Sequence, residues 1–262
     1  MSDNPTILLV DNGSIKPAAT LQLKKIAEQL GERTKQKIYP VSLQHAEVVL
    51  ANFLREQLEQ GKSDFIILPL FFGNSRALTK FIPDVQAELE EVFGKFNLKI
   101  ADTLFPFPQS DTRLADIIFN NIQIVARDSL FSLRNIVLVD HGSPSPQITA
   151  VRSGVAKEVQ AKLGQKVKLA QAVMERREGK QYDFNGELLE DWLLEKAKQG
   201  EASAIVALLF SLPGRHAGEG GDIVEICDSV MERYPGFKIG LSPLVGEHPL
   251  LLDILADRLN YV

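Results

Sequence analysis

The sequence of residues 136–143 (IVLVDHGS) constrains the fold most strongly, because it occurs twice in the chain. Residues 7–14 (ILLVDNGS) are nearly the same phrase. In each copy an uncharged aliphatic run leads into a polar turn that contains a glycine, and a helix-like segment follows. This pattern is typical of a buried parallel strand that ends in a turn at the sheet edge where open α/β sheets bind ligands.

The repeat extends over both halves of the chain. Strand patterns occupy residues 6–10, 37–43, 64–72 and 98–101 of the first half, and residues 135–139, 167–173, 204–210 and 237–241 of the second. Helix patterns occupy residues 16–30, 46–60, 83–93 and 112–126, and then residues 148–163, 187–198, 222–233 and 249–259. The alternation predicts two tandem α/β units, residues 1–128 and 129–262, each with a small parallel sheet and helices on both faces.

Composition narrows the classes of function. The formal net charge of −5 and the pI near 5.5 argue against a general nucleic-acid-binding surface and leave room for a local basic pocket. Cys227 is the single cysteine, which excludes a disulfide framework and a cluster of thiolate ligands. Because it lies in an apolar, helix-like run, we expect Cys227 to be a small core residue.

We expect a cytoplasmic protein with neither a membrane nor a nucleic-acid partner. Residues 1–5 do not resemble a signal peptide. No apolar run reaches the roughly 18 residues that suggest a membrane span. The cysteine usage fits a reducing compartment.

Three polar side chains of the second half follow predicted strands. His141 and His216 come just after two of them, and Glu175 follows a third. If these strands are neighbours, both imidazoles can face one crevice. Two histidines and a carboxylate suit a first-row divalent ion with open coordination positions, or a proton relay. The alternative is three unrelated polar loop residues.

The loop that carries His216 is rich in glycine and could close over a ligand. Its glycines are Gly214, Gly218, Gly220 and Gly221.

The first half lacks this titratable set. Asn12 stands in place of His141, Gln44 aligns with Glu175 across one small gap, and Ser75 aligns with His216. Amides and hydroxyls do not accept protons near neutral pH and are poor ligands for such metals. We therefore expect the first unit to form the opposite wall of the cleft, with one active site per chain.

The two remaining histidines have simpler interpretations. His45 is expected to be structural, and His248 to cap a helix or to belong to a loop.

These residues give the chain a resemblance to the class II tetrapyrrole chelatases, specifically the sirohydrochlorin chelatases. The turn at residues 140–143 resembles their Gly-His-Gly-Ser motif, with Asp140 in place of the first glycine. The segment 214–216 (GRH) followed by Asp222 and Ile223 resembles their second histidine loop, although Val224 replaces a proline and the spacing is two residues longer. Residues 246–250 (GEHPL) resemble the start of the family's last helix.

The resemblance implies a fold of two tandem chelatase-like (flavodoxin-like) units that insert Fe²⁺ or Co²⁺ into sirohydrochlorin, in siroheme or cobalamin biosynthesis. It gives His141 and His216 the roles of binding the ion and taking pyrrole protons, and Glu175 that of an assisting acid/base or of a carboxylate that supports a ligating histidine. Two-unit sirohydrochlorin chelatases are expected to work from the first unit, where this chain lacks the histidine pair. A working site in the second unit instead resembles the arrangement in the related protoporphyrin and cobalt chelatases. The metal is then a substrate, and we expect no tightly bound organic cofactor.

Residues around the two histidines are expected to contact the tetrapyrrole. These are Gly142, Ser143, Arg176 and Arg215. Because sirohydrochlorin carries many carboxylates, further basic candidates are Arg152, Arg177 and Lys180, each of which could equally be a solvated surface charge.

Two other functions remain open from the sequence. The protein could bind a tetrapyrrole or a metal without catalysis, as a carrier or sensor. It could also be a degenerate structural partner of another chelatase, which would bind neither.

Overall fold

The computed structural model describes residues 4–106 and 111–262. Within them the chain divides into two compact units. The first comprises residues 4–106 with 252–262, and the second comprises residues 111–251. The N-terminal segment 1–3, which belongs to the signal-peptide expectation, lies outside the described residues.

The first unit is built on a parallel four-stranded sheet of order β2-β1-β3-β4. Its strands are β1 (Thr6–Asp11), β2 (Ile38–Ser42), β3 (Asp64–Pro69) and β4 (Asn97–Ile100). The connecting helices are α1 (Pro17–Thr34), α2 (Leu50–Glu59) and α3 (Ile82–Phe93), the last preceded by a π-helical turn at Ala77–Phe81.

The second unit has a parallel five-stranded sheet of order β7-β6-β5-β8-β9. Its strands are β5 (Ile136–Asp140), β6 (Leu169–Val173), β7 (Glu187–Leu188), β8 (Ser203–Leu208) and β9 (Lys238–Leu241). Its helices are α4 (Thr112–Ala126), α5 (Pro146–Leu163), α6 (Leu189–Lys198) and α7 (Asp222–Arg233), with 3₁₀ turns at Lys180–Asn185 and Val245–Glu247. The helix α8 (Leu250–Asn260) follows.

Burial on both faces explains the apolar strand sequences. All six residues of β1 and of β8 are buried, and four of the five residues of β5 are buried. A separate cluster of buried side chains packs against each of the two sheets. The predicted fold class, parallel sheets with helices on both faces, is confirmed.

The helices that end the two sequence repeats do not follow the division expected at residues 128 and 129. Helix α4 ends the first repeat but packs on α5 and β8 of the second unit. Residues 252–262, which include most of α8, end the second repeat and belong to the first unit, where the guanidinium of Arg258 donates to the carbonyl oxygen of Thr103. The boundary between the repeats at residues 128 and 129 remains a prediction from the sequence. The chain enters the second compact unit before this boundary and returns to the first unit within α8.

Most predicted elements lie within a few residues of the observed ones, and α4 and α7 have the predicted bounds. The helix predicted over residues 46–60 begins only at Leu50, because the backbone of residue 49 pairs with Ser42 as an isolated bridge. The strand predicted over residues 64–72 ends at Pro69. The segment between β6 and α6 contains a 3₁₀ turn and the short strand β7, which were missed since neither has a periodic pattern.

The structure bears on two expectations from the sequence, the packing role of Cys227 and the absence of a membrane span. Cys227 is buried in the core of the second unit, and burial raises the pKa of its thiol to about 12, which confirms a packing role. Among the described residues, no helix combines the length and apolar character needed to cross a membrane.

Because α4 belongs to the second unit and most of α8 to the first, truncating a buried side chain in each helix should destabilise a different sheet. Ile118→Ala in α4 and Ile254→Ala in α8 each remove a fully buried side chain and should cost about 2–5 kcal/mol. Native-state hydrogen exchange should show the larger loss of protection at β8 for the first variant and at β1 for the second. Equal losses in both sheets for each variant would contradict the assignment.

Candidate active site

The turn after β5 is fixed by a close approach to the segment that follows β6. Gly142 has φ +90°, and a Cβ atom there would lie 2.0 Å from the carbonyl oxygen of Glu175. The amide of Glu175 donates to the carbonyl oxygen of His141 over 3.2 Å, which continues the parallel pairing beyond the strands. Only glycine fits this position, and the tight turn projects His141 from the carboxyl edge of the sheet.

The structure brings His141 and His216 together. Strands β5 and β8 are neighbours, and each is followed by a segment that carries one of the two histidines. The ring centroids are 4.4 Å apart, and the ring planes meet at 72°. The side chains are 43% and 31% exposed, so both rings are supported by the protein and reachable from solvent.

Glu175 also lies at this point. Its Oε1 is 3.2 Å from Nε2 of His141, while Nδ1 of His141 lies 3.0 Å from the carbonyl oxygen of Gly142. Both ring nitrogens of His141 therefore face oxygen acceptors. A metal ion that binds Nε2 must displace the carboxylate of Glu175 or share it, which couples ion entry to a proton-accepting group.

Asp222 is a functional candidate that the sequence reasoning missed. Its Oδ2 lies 2.7 Å from Nδ1 of His216. A proton on Nδ1 that is donated to this carboxylate leaves Nε2 of His216 to accept a proton or a metal ion. The signal that could have identified Asp222 was its position at the start of α7, just after the histidine loop. In the sequence, Asp222 was noted only as part of that motif.

The loop between β8 and α7 has a fold that brings Asp222 back to His216. The amide of Asp222 donates to the carbonyl oxygen of Arg215, and the amide of Ile223 donates to that of His216. Gly218 and Gly220 adopt positive φ values of 100° and 61° within the loop. The glycines therefore serve a folded turn that holds the histidine against the start of α7.

The predicted substrate-contacting residues are distributed around this point. The backbone N–H and carbonyl oxygen of Ser143 both bond the side chain of Asn185. Arg176 donates to the carbonyl oxygen of Gly186 over 3.0 Å. Arg215 is largely exposed, with Nε 3.9 Å from Asp222.

The interpretation of Arg152 as a basic residue of the cleft is wrong. Its side chain is 4% exposed, and Nη1 donates to the carboxylate of Asp140 over 2.7 Å. Nη1 also donates to the carbonyl oxygen of Ala172, and Nη2 donates to that of Asn185. A guanidinium committed to these partners in the interior is not available to a ligand.

His45 and His248 have different surroundings from the pair of His141 and His216. Nδ1 of His248 accepts from the amide of Leu250, so this histidine caps α8, as one of the sequence interpretations proposed. His45 is exposed and has φ 55°, in a turn of the first unit.

The pair provides few ligands for a metal ion. Within residues 4–106 and 111–262, no group of three or more His, Cys, Asp or Glu side chains is arranged to hold one. Two imidazoles beside two carboxylates that are already paired would leave coordination positions open. Such a site suits an ion that arrives and leaves, rather than one that is retained.

The first unit repeats the backbone of the turn without its imidazole. Gly13 has φ +87°, and a Cβ atom there would lie 1.7 Å from the carbonyl oxygen of Gln44. The amide of Leu43 bonds the carbonyl oxygen of Asp11, as Met174 does with Asp140. Gln44 thus occupies the place of Glu175, in agreement with the sequence alignment.

The buried carboxylates before the two glycines have different surroundings. Burial raises the pKa of Asp11. Hydrogen bonds from the side chain of Ser42 and the amide of Gly13 lower this pKa, but they offset the effect of burial only in part. Burial also raises the pKa of Asp140, and there the guanidinium of Arg152 opposes the rise. In the repeat alignment, the position of Arg152 is occupied in the first unit by the buried Leu23.

The raised pKa of Asp11 predicts a stabilising substitution. Its carboxylate lowers stability once the pH rises above the unfolded-state pKa, whereas an uncharged amide avoids that cost and keeps an acceptor oxygen. Asp11→Asn should therefore raise the free energy of unfolding at pH 7, and the gain should shrink as the pH falls toward 3.8. Urea unfolding followed by circular dichroism at several pH values measures this.

The exposed Glu28→Gln in α1 is the matched charge control for that experiment. A gain of the same size at pH 7 and pH 4, or a loss at pH 7, would show that ionisation of Asp11 is not the cause.

Comparisons with solved structures identify proteins that share this fold. SirB from Bacillus subtilis with Fe³⁺ superposes with a TM-score of 0.73 at 14% identity, over 98% of this chain and 95% of that one. SirB from Bacillus subtilis subspecies spizizenii in complex with cobalt gives 0.71 at 15% identity, over 98% and 94%. CbiX, described as the terminal enzyme for siroheme biosynthesis in denitrifying bacteria, gives 0.64 at 14% identity, over 98% and 99%. At these identities the likeness establishes the fold.

Sequence comparison gives the family. No curated protein sequence matches the chain. The sequence profile of the CbiX family matches it twice, over residues 6–122 and 135–262. Because these matches cover nearly the whole chain and both repeats, the chain belongs to the CbiX family, which confirms the predicted resemblance.

Proposed function

We propose that this protein inserts Fe²⁺ or Co²⁺ into sirohydrochlorin, at one site in the second unit. The observation that carries the proposal is the pair of imidazoles 4.4 Å apart on neighbouring strand ends, of which His216 is bonded to Asp222. The first unit has the same turn with Asn12 in place of the imidazole, and therefore no equivalent proton acceptor at that position.

The chemistry of insertion matches these groups. Two pyrrole N–H protons must leave the macrocycle, and the ion must exchange its water ligands for pyrrole nitrogens. Neutral imidazole binds both Fe²⁺ and Co²⁺ and accepts protons near pH 7. In this proposal His141 and His216 hold the incoming ion and take protons, and Glu175 accepts a proton from His141 through their 3.2 Å contact.

Solved relatives support the choice of metal and substrate. The Bacillus subtilis SirB structures contain Fe³⁺ or cobalt, and the second is named a sirohydrochlorin chelatase. CbiX is named for siroheme biosynthesis. Transferred to this chain, these names support iron or cobalt as the metal substrate, sirohydrochlorin as the tetrapyrrole substrate and siroheme biosynthesis as a setting. The divalent state of the ion and the alternative setting of cobalamin biosynthesis belong to our proposal.

Residues at the rim are proposed to contact the macrocycle. Arg176 and Arg215 offer charge to its carboxylates, and the turn at Gly142 and Ser143 lies beside the ion site. No step of this reaction requires an organic cofactor. We place the activity in the cytoplasm, where a reducing environment keeps iron ferrous and the single thiol reduced.

Substitution of the histidines tests the proposal. His141→Ala and His216→Ala should each lower the rate of Co²⁺ insertion by about 100-fold or more, because each removes a ligand and a proton acceptor. Insertion is followed by the absorbance change of sirohydrochlorin with Co²⁺ or Fe²⁺. The matched control is His45→Ala, which removes an exposed histidine of the first unit and should leave the rate unchanged.

Either histidine variant inserting metal at the rate of the unmodified protein would refute the proposed site. Binding of sirohydrochlorin by the unmodified protein without accelerated metal entry would instead identify a carrier or sensor.

Equivalent glycines provide a second test. Gly142→Ala and Gly13→Ala both place a Cβ atom at positive φ against a carbonyl oxygen, so both should destabilise the protein by about 1–3 kcal/mol. Only Gly142→Ala should also reduce insertion by folded protein, because it displaces His141 from Glu175. Equal losses of insertion rate in both variants would contradict a site confined to the second unit.

A further inference from the structure

A buried ion pair distinguishes the turn of His141 from its counterpart in the first unit. The side chains of Arg152 and Asp140 are 4% and 13% exposed, and Nη1 lies 2.7 Å from Oδ1. The same Oδ1 accepts from the amide of Gly142 over 3.2 Å. Arg152, on α5, is thereby connected through Asp140 to the residue after His141.

Asn185 fixes the next residue of the turn. Its Oδ1 accepts from the amide of Ser143 over 3.0 Å, and its Nδ2 donates to the carbonyl oxygen of Ser143 over 2.9 Å. Oδ1 also accepts from the hydroxyl of Thr149 on α5. Asn185 is 1% exposed, so these bonds are made in the interior, where the loss of a partner is costly.

Arg152 joins the two sets of contacts. Its Nη2 donates to the backbone carbonyl oxygen of Asn185 over 2.6 Å, while Nη1 holds Asp140. The backbone of the chain is therefore held at Gly142 and Ser143 by one connected network rooted in α5. Planar guanidinium geometry suits such a bridge, since it offers donors in fixed directions to two acceptors at once.

Folding of the turn does not require this network. In the first unit, Gly13 has nearly the same φ and the same close approach to a carbonyl oxygen, while the buried Leu23 occupies the aligned position of Arg152. Burying an ion pair costs desolvation energy that a hydrophobic residue avoids. The costly arrangement is present in the unit whose turn carries an imidazole.

We propose that Arg152 and Asn185 are positioning residues that hold His141 at the geometry required for ion binding and proton transfer. This inference rests on the proposed function for its catalytic consequence. Arg152 and Asn185 are both buried, so neither side chain is open to a ligand. Both act through the backbone on either side of Gly142, which sets the direction of the imidazole toward Glu175 and His216.

The test uses a charge-neutral double substitution, Asp140→Asn with Arg152→Met. The first change keeps an acceptor oxygen for the amide of Gly142, and the second fills much of the volume of arginine without bonding Asn185. Replacing a buried ion pair in this way is often neutral for stability, so the variant is expected to fold. Asn185→Ala is the second variant, and Leu23→Met is the matched control in α1.

Three measurements are made on the whole 262-residue chain. Urea unfolding followed by the fluorescence of Trp192, the single tryptophan, reports the stability of the second unit. Absorption of Co²⁺ gives its dissociation constant, and steady-state insertion gives kcat and KM. Nitrogen and proton NMR signals of the His141 ring report its environment without metal or activity.

Both network variants should raise the Co²⁺ dissociation constant and lower kcat by about 10–100-fold, with a smaller effect on KM, as for other partners that orient ligands. The His141 ring signals should shift and broaden, whereas Leu23→Met should change none of these. Unchanged His141 signals, together with Co²⁺ affinity and kcat within about twofold, would overturn the inference and leave only a structural role.

The NMR readout separates this inference from the proposed function. If the unmodified protein inserts no metal, the proposed function fails. The positioning role is then decided by the His141 ring signals alone, which shift if it is right and stay unchanged if it is wrong.

Discussion

The parallel pairing of β5 with both β6 and β8 is the constraint on which the site depends. Parallel strands end at the same edge of a sheet. Residues that follow neighbouring strands are therefore brought together even when they are far apart in the sequence. His141 and Glu175 follow β5 and β6, and His216 follows β8. Burial of these strands on both faces fixes their register, because a shifted strand would leave its apolar side chains and backbone groups unmatched.

The site adds polar groups to this frame at graded depths. The imidazoles and Asp222, which is paired with His216, are partly exposed, Glu175 is exposed, and the pair of Arg152 with Asp140 lies in the interior. Exposure keeps the outer groups accessible to ions and protons. Burial of the inner pair excludes water and makes its directional bonds more effective at holding the backbone.

Much of the fold was predictable from the sequence, because two independent signals agreed. The repeated strand-and-turn phrase indicated a duplicated unit, and apolar runs of strand length indicated buried parallel strands. The departures have local causes. The 3₁₀ turn at Lys180–Asn185 and the two residues of β7 are too short for a periodic signal. Arg152 was expected either to line the cleft or to be a solvated surface charge, because charged residues are seldom buried, and only its interior partners stabilise the exception.

The sequence by itself determined the duplicated α/β architecture, the family, and the histidines that distinguish the second repeat from the first. These properties follow from local patterns and from residue identity. Tertiary structure alone decided that α4 packs with the second unit, since its apolar face fits the same kind of sheet in either repeat. It also decided that Asp222 bonds His216 and that Arg152 bridges Asp140 to Asn185, because these contacts depend on the path of loops that carry no periodic pattern.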